Sequence, residues 1–360
     1  MPSLGVTMWR STTVHPMDVS KQRRERSGVY APRRAMATPL PTRRAQCGFS
    51  VTSLSTMKRT THSAIADDRN QHIEIWINGE FFVRHEAKIS VFDSGFLVGD
   101  GIWEGIRLHK GKFAFLNRHL DRLYAGAAAI DLDIGLGRDE LSTALNATVE
   151  RNSMSDGVHV RLMVTRGDKT TPSQHPSNCV GGPNIVIIAE HKTANPEVRR
   201  NGITLFTATV RRPGPEILDQ RLNCHSKLHE VIALIQANKA GADEALMLDP
   251  TGAVATCNAT NFFCVSNGKL LTSSGHYNLN GITRQVVLEV AQVDGIRSGE
   301  QPFSLTDVYS STEAFVTGTF GGLTPVVEVD GRVIGAGSEG PMTRRLRDLY
   351  ESAVEADINS

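Results

Sequence analysis

Three dipeptides ending in glycine, Asn78-Gly79, Lys110-Gly111 and Asn267-Gly268, each separate two short strand-like runs: IEIWI from EFF, GIWEGIRLH from KFAFL, and NFFCVS from KLL. A two-residue connection of this kind supplies the left-handed backbone that a tight hairpin needs, so these positions call for antiparallel ribbons. Helical spacing interrupts the ribbons. Leu120, Leu123, Tyr124 and Ala127 recur along HLDRLYAGAAAI. LHEVIALIQANKAGA places Leu228, Val231, Ile232 and Ile235 on one face, with Ser226 as N-cap and Gly241 as stop. GITRQVVLEVAQV and a stretch near Met342 to Val354 are further helices, while HVRLMVTRG, NIVIIAE, ITLFTATV, EALMLD and EAFVTGT are strands. The fold class that follows is α+β. Two units of similar size are expected, over 71–191 and over 201–355, joined by a polar linker over 192–200 that contains Pro196.

Charge divides the chain elsewhere. Residues 1–66 carry eleven Lys/Arg against only Asp18 and Glu25, which leaves 67–360 with 28 basic and 36 acidic side chains. Residues 1–70 are therefore expected to be disordered, with the Arg- and Ser-rich, acid-poor composition of a transit peptide; a start placed too far upstream, with Met36 and Met57 available, explains it equally. The expected location is cytoplasmic, or mitochondrial or plastid if the segment is a transit peptide. The basic residues lack interleaved aromatics and the rest is acidic, which argues against nucleic acid. No apolar run approaches the roughly eighteen residues of a membrane span. Five scattered cysteines, Cys47, Cys179, Cys224, Cys257 and Cys264, show neither zinc spacing nor a disulfide framework and suit a reducing compartment.

Lys227 is the only lysine between Lys192 and Lys239, and it stands where a strand-like run ending in Leu222-Asn223 gives way to a helix. Desolvation at such a junction can turn a lysine into a carbonyl-trapping nucleophile, although most lysines at helix starts simply reach for water.

Its surroundings resemble a known family. GDGIWEGIRLHKGK, HLDRL, VTRG, GADEALMLDPTGAVA, GITRQVV and EAFVTGTFGGLTPV occur in the order found in class IV aminotransferases, the fold type IV pyridoxal-phosphate enzymes, and the likeness runs over roughly 72–350. The resemblance implies a small α+β domain, a larger pseudo-barrel domain and pyridoxal 5'-phosphate between them. It implies amino-acid and keto-acid substrates, of branched-chain or D-amino-acid type, and a homodimer. Arg122 matches the arginine on the cofactor phosphate, with Gly281, Ile282 and Thr283 at a helix start and Gly318-Thr319 completing the cup. Trp103, His159, Arg161 and Arg166 match the substrate side. Of the two arginines, five apart, only one can face inward from a regular strand.

Two positions depart from the pattern. Asn223 occupies the place of the family's Schiff-base lysine, and Thr256 that of the glutamate that keeps the cofactor ring protonated. The expectation is a relocated Schiff base at Lys227 and a weaker electron sink over Thr256. Alternatives are a lyase of the aminodeoxychorismate lyase type, and a non-catalytic member. A metal site at Cys224, His225 and His229 lacks a nearby fourth ligand.

Overall fold

Each of the three dipeptides turns a hairpin with both residues at positive φ: 50° and 100° at Asn78-Gly79, 49° and 80° at Lys110-Gly111, 51° and 67° at Asn267-Gly268. That is the backbone whose twist matches the flanking strands. The computed structural model describes residues 60–360; residues 1–59, which hold most of the segment expected to be disordered or targeting, lie outside the described residues.

In chain order the first unit contains β1 (Glu74–Ile77), β2 (Glu80–Val83), α1 (Ser94–Val98), β3 (Gly101–His109), β4 (Lys112–Phe113), α2 (Leu116–Ala129), α3 (Arg138–Arg151), β5 (Val158–Thr165), β6 (Asp168–Lys169), β7 (Cys179–Val180) and β8 (Asn184–His191). Six of these strands form one antiparallel sheet in the order β2-β1-β8-β5-β3-β4, and β6 pairs with β7 apart from it. Side chains alternate along β5, so Val158, Val160, Leu162 and Val164 are buried while His159, Arg161 and Met163 are only half-buried. The apolar side of β3 and β5 packs with Leu120 and Leu123 of α2 and with Leu141 and Leu145 of α3. The opposite side is left to face a second sheet.

That sheet belongs to the larger unit: α4 (Pro196–Asn201), β9 (Ile203–Thr207), α5 (Leu228–Ala240), β10 (Glu244–Leu248), β11 (Val254–Cys257), β12 (Asn261–Ser266), β13 (Lys269–Thr272), α6 (Ile282–Val293), β14 (Ser298–Glu300), α7 (Leu305–Tyr309), β15 (Glu313–Gly318), β16 (Gly322–Val329), β17 (Arg332–Val333) and α8 (Pro341–Asn359). Its nine strands run β11-β10-β9-β16-β15-β12-β13-β14, with β17 on β16, as a mixed half-barrel. α6 and α8 cover it through Val286, Val287, Leu346 and Val354, packed with Phe263 and Phe315.

Several sequence expectations change. The polar linker contains α4, because Pro196 sits in its first turn and the Asn195 side chain accepts the Glu197 N–H. Residues 60–70, assigned to the disordered segment, pack on the folded part. The Thr61 N–H donates to buried Glu244, Ile65 N–H donates to Thr193 O, and Asn195 N–H donates to Ser63 O. The run before Lys227 is a loop pinned to β3, with Trp103 N–H donating to Asn223 O and His225 N–H to Gly101 O, both at 2.9 Å. Lys227, not Ser226, is the residue at the N-cap of α5, and Ser226 Oγ donates to Gly99 O at 3.3 Å. On that helix Leu228, Val231, Ile232 and Ile235 are exposed at 69, 48, 40 and 47%, whereas Ala233 and Ala237 are buried. β16 runs through Pro325, beside a register shift at Val326/Glu328. α8 extends past the expected domain end to Asn359.

Candidate active site

Antiparallel register brings Trp103 opposite Met163, Gly105 opposite Arg161 and Arg107 opposite His159. These rows form the half-buried side of β3 and β5 and look onto a cavity of about 580 Å3. Trp103, His159, Arg161, Arg122, Thr256, Gly281, Ile282, Thr283, Gly318, Thr319 and Lys227 all line it, so the structure brings these expected positions together. Arg166 is not among them. Its guanidinium grips Asp100 at 2.7 and 3.1 Å and donates to the carbonyls of Ile130 and Asp131, tying the end of α2 to the start of β3. It lies just past the end of β5, and the inward-facing member of the pair is Arg161, whose guanidinium lies 3.9 Å from the Trp103 ring centroid.

One end of the cavity is built of anion donors. α6 begins there at Gly281 with no side-chain cap, leaving its first N–H groups and its positive dipole end free. A Cβ on Gly281 would collide with Asn261 Oδ1, so glycine is required for the close approach of that loop. Thr317 Oγ1 is buried without a hydrogen-bond partner, a polar atom left for a ligand. Arg122 reaches this end from α2. Its Nε and Nη2 each donate to Glu104 at 2.7 Å, and its Nη1 donates to Asn280 O at 3.0 Å. Glu104 is fully buried and also lies 2.7 Å from His119 Nδ1. Burial pushes the Glu104 carboxyl upward, but Arg122 and His119 outweigh it and hold the pKa below the usual value. This buried anion fixes Arg122, and the sequence reading missed it because a glutamate inside a strand carries no local mark. The donor set suits a phosphate group.

Lys227 is the only lysine among the residues lining the cavity. Its Nζ is 3.4 Å from Glu230 Oε1, one turn along α5. Glu230 also pairs with Arg212 at 2.7 Å and lies 3.0 Å from His229 Nδ1. Burial raises its carboxyl, yet the His229 contact and the Lys227 and Arg212 charges prevail and bring it to about 2. Arg212, itself buried, already holds this carboxylate, so Lys227 can leave the ion pair without stranding Glu230 unpaired.

Asn223 lines the same cavity. Its Nδ2 donates to Trp103 O at 2.7 Å, while Oδ1 is buried without a partner. Thr256 is buried, and its hydroxyl donates to Thr260 O at 2.8 Å, so it offers lone pairs rather than a free proton to the cavity. His225 Nε2 lies 3.1 Å from Ile102 O, and His229 Nε2 3.1 Å from Gln220 Oε1. Among the described residues no group of three or more His, Cys, Asp or Glu is placed to hold a metal ion.

Residues 101–329 match the family described as Amino-transferase class IV. Over 288 residues the chain is 41% identical to the Branched-chain-amino-acid aminotransferase-like protein 1 of Arabidopsis thaliana, covering 79% of this chain but 51% of that relative, and a second Arabidopsis protein of the same kind is covered to the same extent. The chain thus spans about half the length of those two relatives. A D-alanine aminotransferase of Listeria monocytogenes is 35% identical over 79% of this chain and 97% of its own length. A solved branched-chain amino acid aminotransferase complexed with N-(5'-phosphopyridoxyl)-L-glutamate superposes with a TM-score of 0.73 at 30% identity, over 79% of this chain and 95% of that one. The branched-chain aminotransferase of the archaeon Thermoproteus uzoniensis, solved with norvaline, superposes with a TM-score of 0.71 at 28% identity, over the same shares of the two chains. The chain belongs to the class IV aminotransferase family.

Proposed function

We propose that the chain is a pyridoxal 5'-phosphate-dependent aminotransferase of the branched-chain or D-amino-acid type, with Lys227 as its Schiff-base lysine. The observation that carries the reading is a single lysine among the described residues that line a cavity, together with a set of anion donors that suits a phosphate. Pyridoxal 5'-phosphate supplies an aldehyde that amines condense with and a ring that withdraws electrons from the substrate's Cα. Arg122, the N–H groups of Ile282 and Thr283, the Thr317 hydroxyl and the Gly318-Thr319 backbone would hold its phosphate. Thr256 offers an uncharged oxygen where the family resemblance implies a carboxylate, so the ring bound here would withdraw electrons less strongly. Lys227 Nζ would take up the proton from the substrate's Cα, and Arg161 would orient a substrate carboxylate.

The test is spectroscopic. Purified protein shows an absorbance band above roughly 400 nm that borohydride bleaches and that Lys227→Ala abolishes. A band unchanged in that variant rejects the assignment.

A homodimer belongs to the same reading. Leu228 and Val231 of α5 share a surface depression with Val98 and Ile217, all four exposed at 42% or more, an apolar patch suited to a second copy.

A further inference from the structure

Residues 60–64 precede the region matched to the family, yet His62 among them lines the cavity. One end of this strap is tied to the connection between the two sheets: Ala64 bridges Ala194, flanked by the Ile65–Thr193 and Asn195–Ser63 backbone bonds. The other end is held by one buried carboxyl. Thr61 donates both its N–H, at 2.7 Å, and its hydroxyl to Glu244 Oε1, and both residues are buried.

Glu244 of β10 has a second duty. Its Oε2 accepts the Thr260 hydroxyl at 3.4 Å, and the Thr260 carbonyl in turn accepts the Thr256 hydroxyl at 2.8 Å and the Cys257 N–H at 2.9 Å. One side chain therefore fastens the strap to the turn between β11 and β12, whose residues line the cavity together with Thr256. Burial pushes this carboxyl up, and the bonds from Thr61 and Thr260 oppose the shift. Undocking the strap strips Oε1 of both its donors inside the protein, a costly state for a buried acceptor.

The strap also packs on the turn between β15 and β16, which supplies Thr319 to the cradle. The His62 ring stacks on Phe320 with 6.3 Å between centroids. The Thr61 carbonyl leaves little room for a side chain on Gly321, where a Cβ would come within 3.2 Å of it. A Cβ on Gly318 would come within 3.3 Å of Thr260 Cγ2. The β15–β16 turn thus stands close to both residues that Glu244 holds.

We propose that the strap is a latch on the cradle: Thr61 and Glu244 are positioning residues that couple docking of residues 60–64 to the placement of the β11–β12 and β15–β16 turns, so that a pyridoxal phosphate binds more tightly with the strap docked. The proposal rests on the aminotransferase reading for the nature of the ligand in the cradle. Such coupling is reciprocal: what tightens the ligand when the strap docks must tighten the strap when the ligand binds.

Pyridoxamine 5'-phosphate is the probe, because it carries the phosphate and ring without an aldehyde, so its binding needs no bond to Lys227. The full-length protein, freed of cofactor by dialysis, is titrated with it, and backbone hydrogen exchange across residues 60–66 is followed by mass spectrometry with and without the probe. In the parent, saturating probe slows exchange of this segment, where Thr61 and Ile65 donate their N–H groups to Glu244 and Thr193, at least about threefold. Thr61→Val, which removes the hydroxyl and keeps the shape, weakens probe binding about fivefold and abolishes that slowing; Thr61→Ser, which keeps the hydroxyl, stays within about twofold of the parent. Exchange in the parent that is indifferent to the probe, equal affinity in Thr61→Val and the parent, or a loss in Thr61→Ser as large as in Thr61→Val overturns the proposal. Should Thr61→Val fold poorly, exchange in the parent decides it. A parent that does not bind the probe sinks the cradle and the latch together. A strap that responds to the probe in a protein lacking the borohydride-sensitive band sinks only the assignment of Lys227.

Discussion

Lys227 and Asn223 line one cavity, so the relocation proposed for the amine is a matter of four residues of chain rather than of a different site. Restoring a lysine at 223 in the Lys227→Ala background should therefore recover an absorbance band above roughly 400 nm, measured on refolded and dialysed protein. No recovery would show that position 223 no longer addresses the cofactor. The neighbouring Glu230 answers to a different experiment. Its folded pKa of about 2 lies below the ordinary 4.5, so the unfolded chain takes up the proton first. The stabilisation from this ionised group is complete above pH 4.5 and is lost as pH falls toward 2. Glu230→Gln should leave Arg212 buried without its anion, at a cost of about 3 kcal/mol in chemical denaturation at pH 7, and should flatten the acid limb of the stability profile. At this scale the sequence showed which residue types were unusual, Asn223 and Thr256 above all. It could not show that the Thr256 proton is spent on the Thr260 carbonyl, because that bond depends on the turn between β11 and β12.

Elements place these residues, and their legibility varied with how local the signal was. The hairpins were readable because two residues settle the backbone of each turn. α5 was readable as a helix but not in its orientation: periodicity marks an apolar face without saying what covers it. Ala233 and Ala237 are small enough to bring the helix close to β10, and the large residues were left outside. β16 was hidden by Pro325, which ordinarily demotes a run to an edge. α6 carries the prediction that belongs here. Gly281→Ala drives a methyl against Asn261 Oδ1 and moves the first turn off the cavity, so pyridoxal 5'-phosphate affinity should fall by at least about tenfold in equilibrium titration with thermal stability nearly kept. Unaltered affinity would mean that the helix start takes no part in holding phosphate. Glu104→Gln should act through α2 in the same titration, loosening Arg122 while the cavity's substrate end stays as it was.

Among the described residues two sheets line one cavity, and the groups of the proposed site come from both: β3 and β5 on one side, α6 and the β15–β16 turn on the other. The ordered motifs made that architecture legible, since six of them in family sequence leave little freedom. The strap at 60–64 was not legible, because its Ser- and Thr-rich, acid-free composition continues that of the segment before it and its hold comes from Glu244, some 180 residues away. Exposed Leu228, Val231, Val98 and Ile217 make the oligomer a prediction at this scale. Leu228→Glu with Val231→Glu should convert a dimer to a monomer in sedimentation, and an unchanged mass would place the contact elsewhere. The central claim is chemical, and one measurement reaches it most directly. Borohydride reduction of the cofactor-loaded protein followed by peptide mass mapping should put the phosphopyridoxyl group on Lys227, whereas the label on another lysine, or on none, contradicts the account.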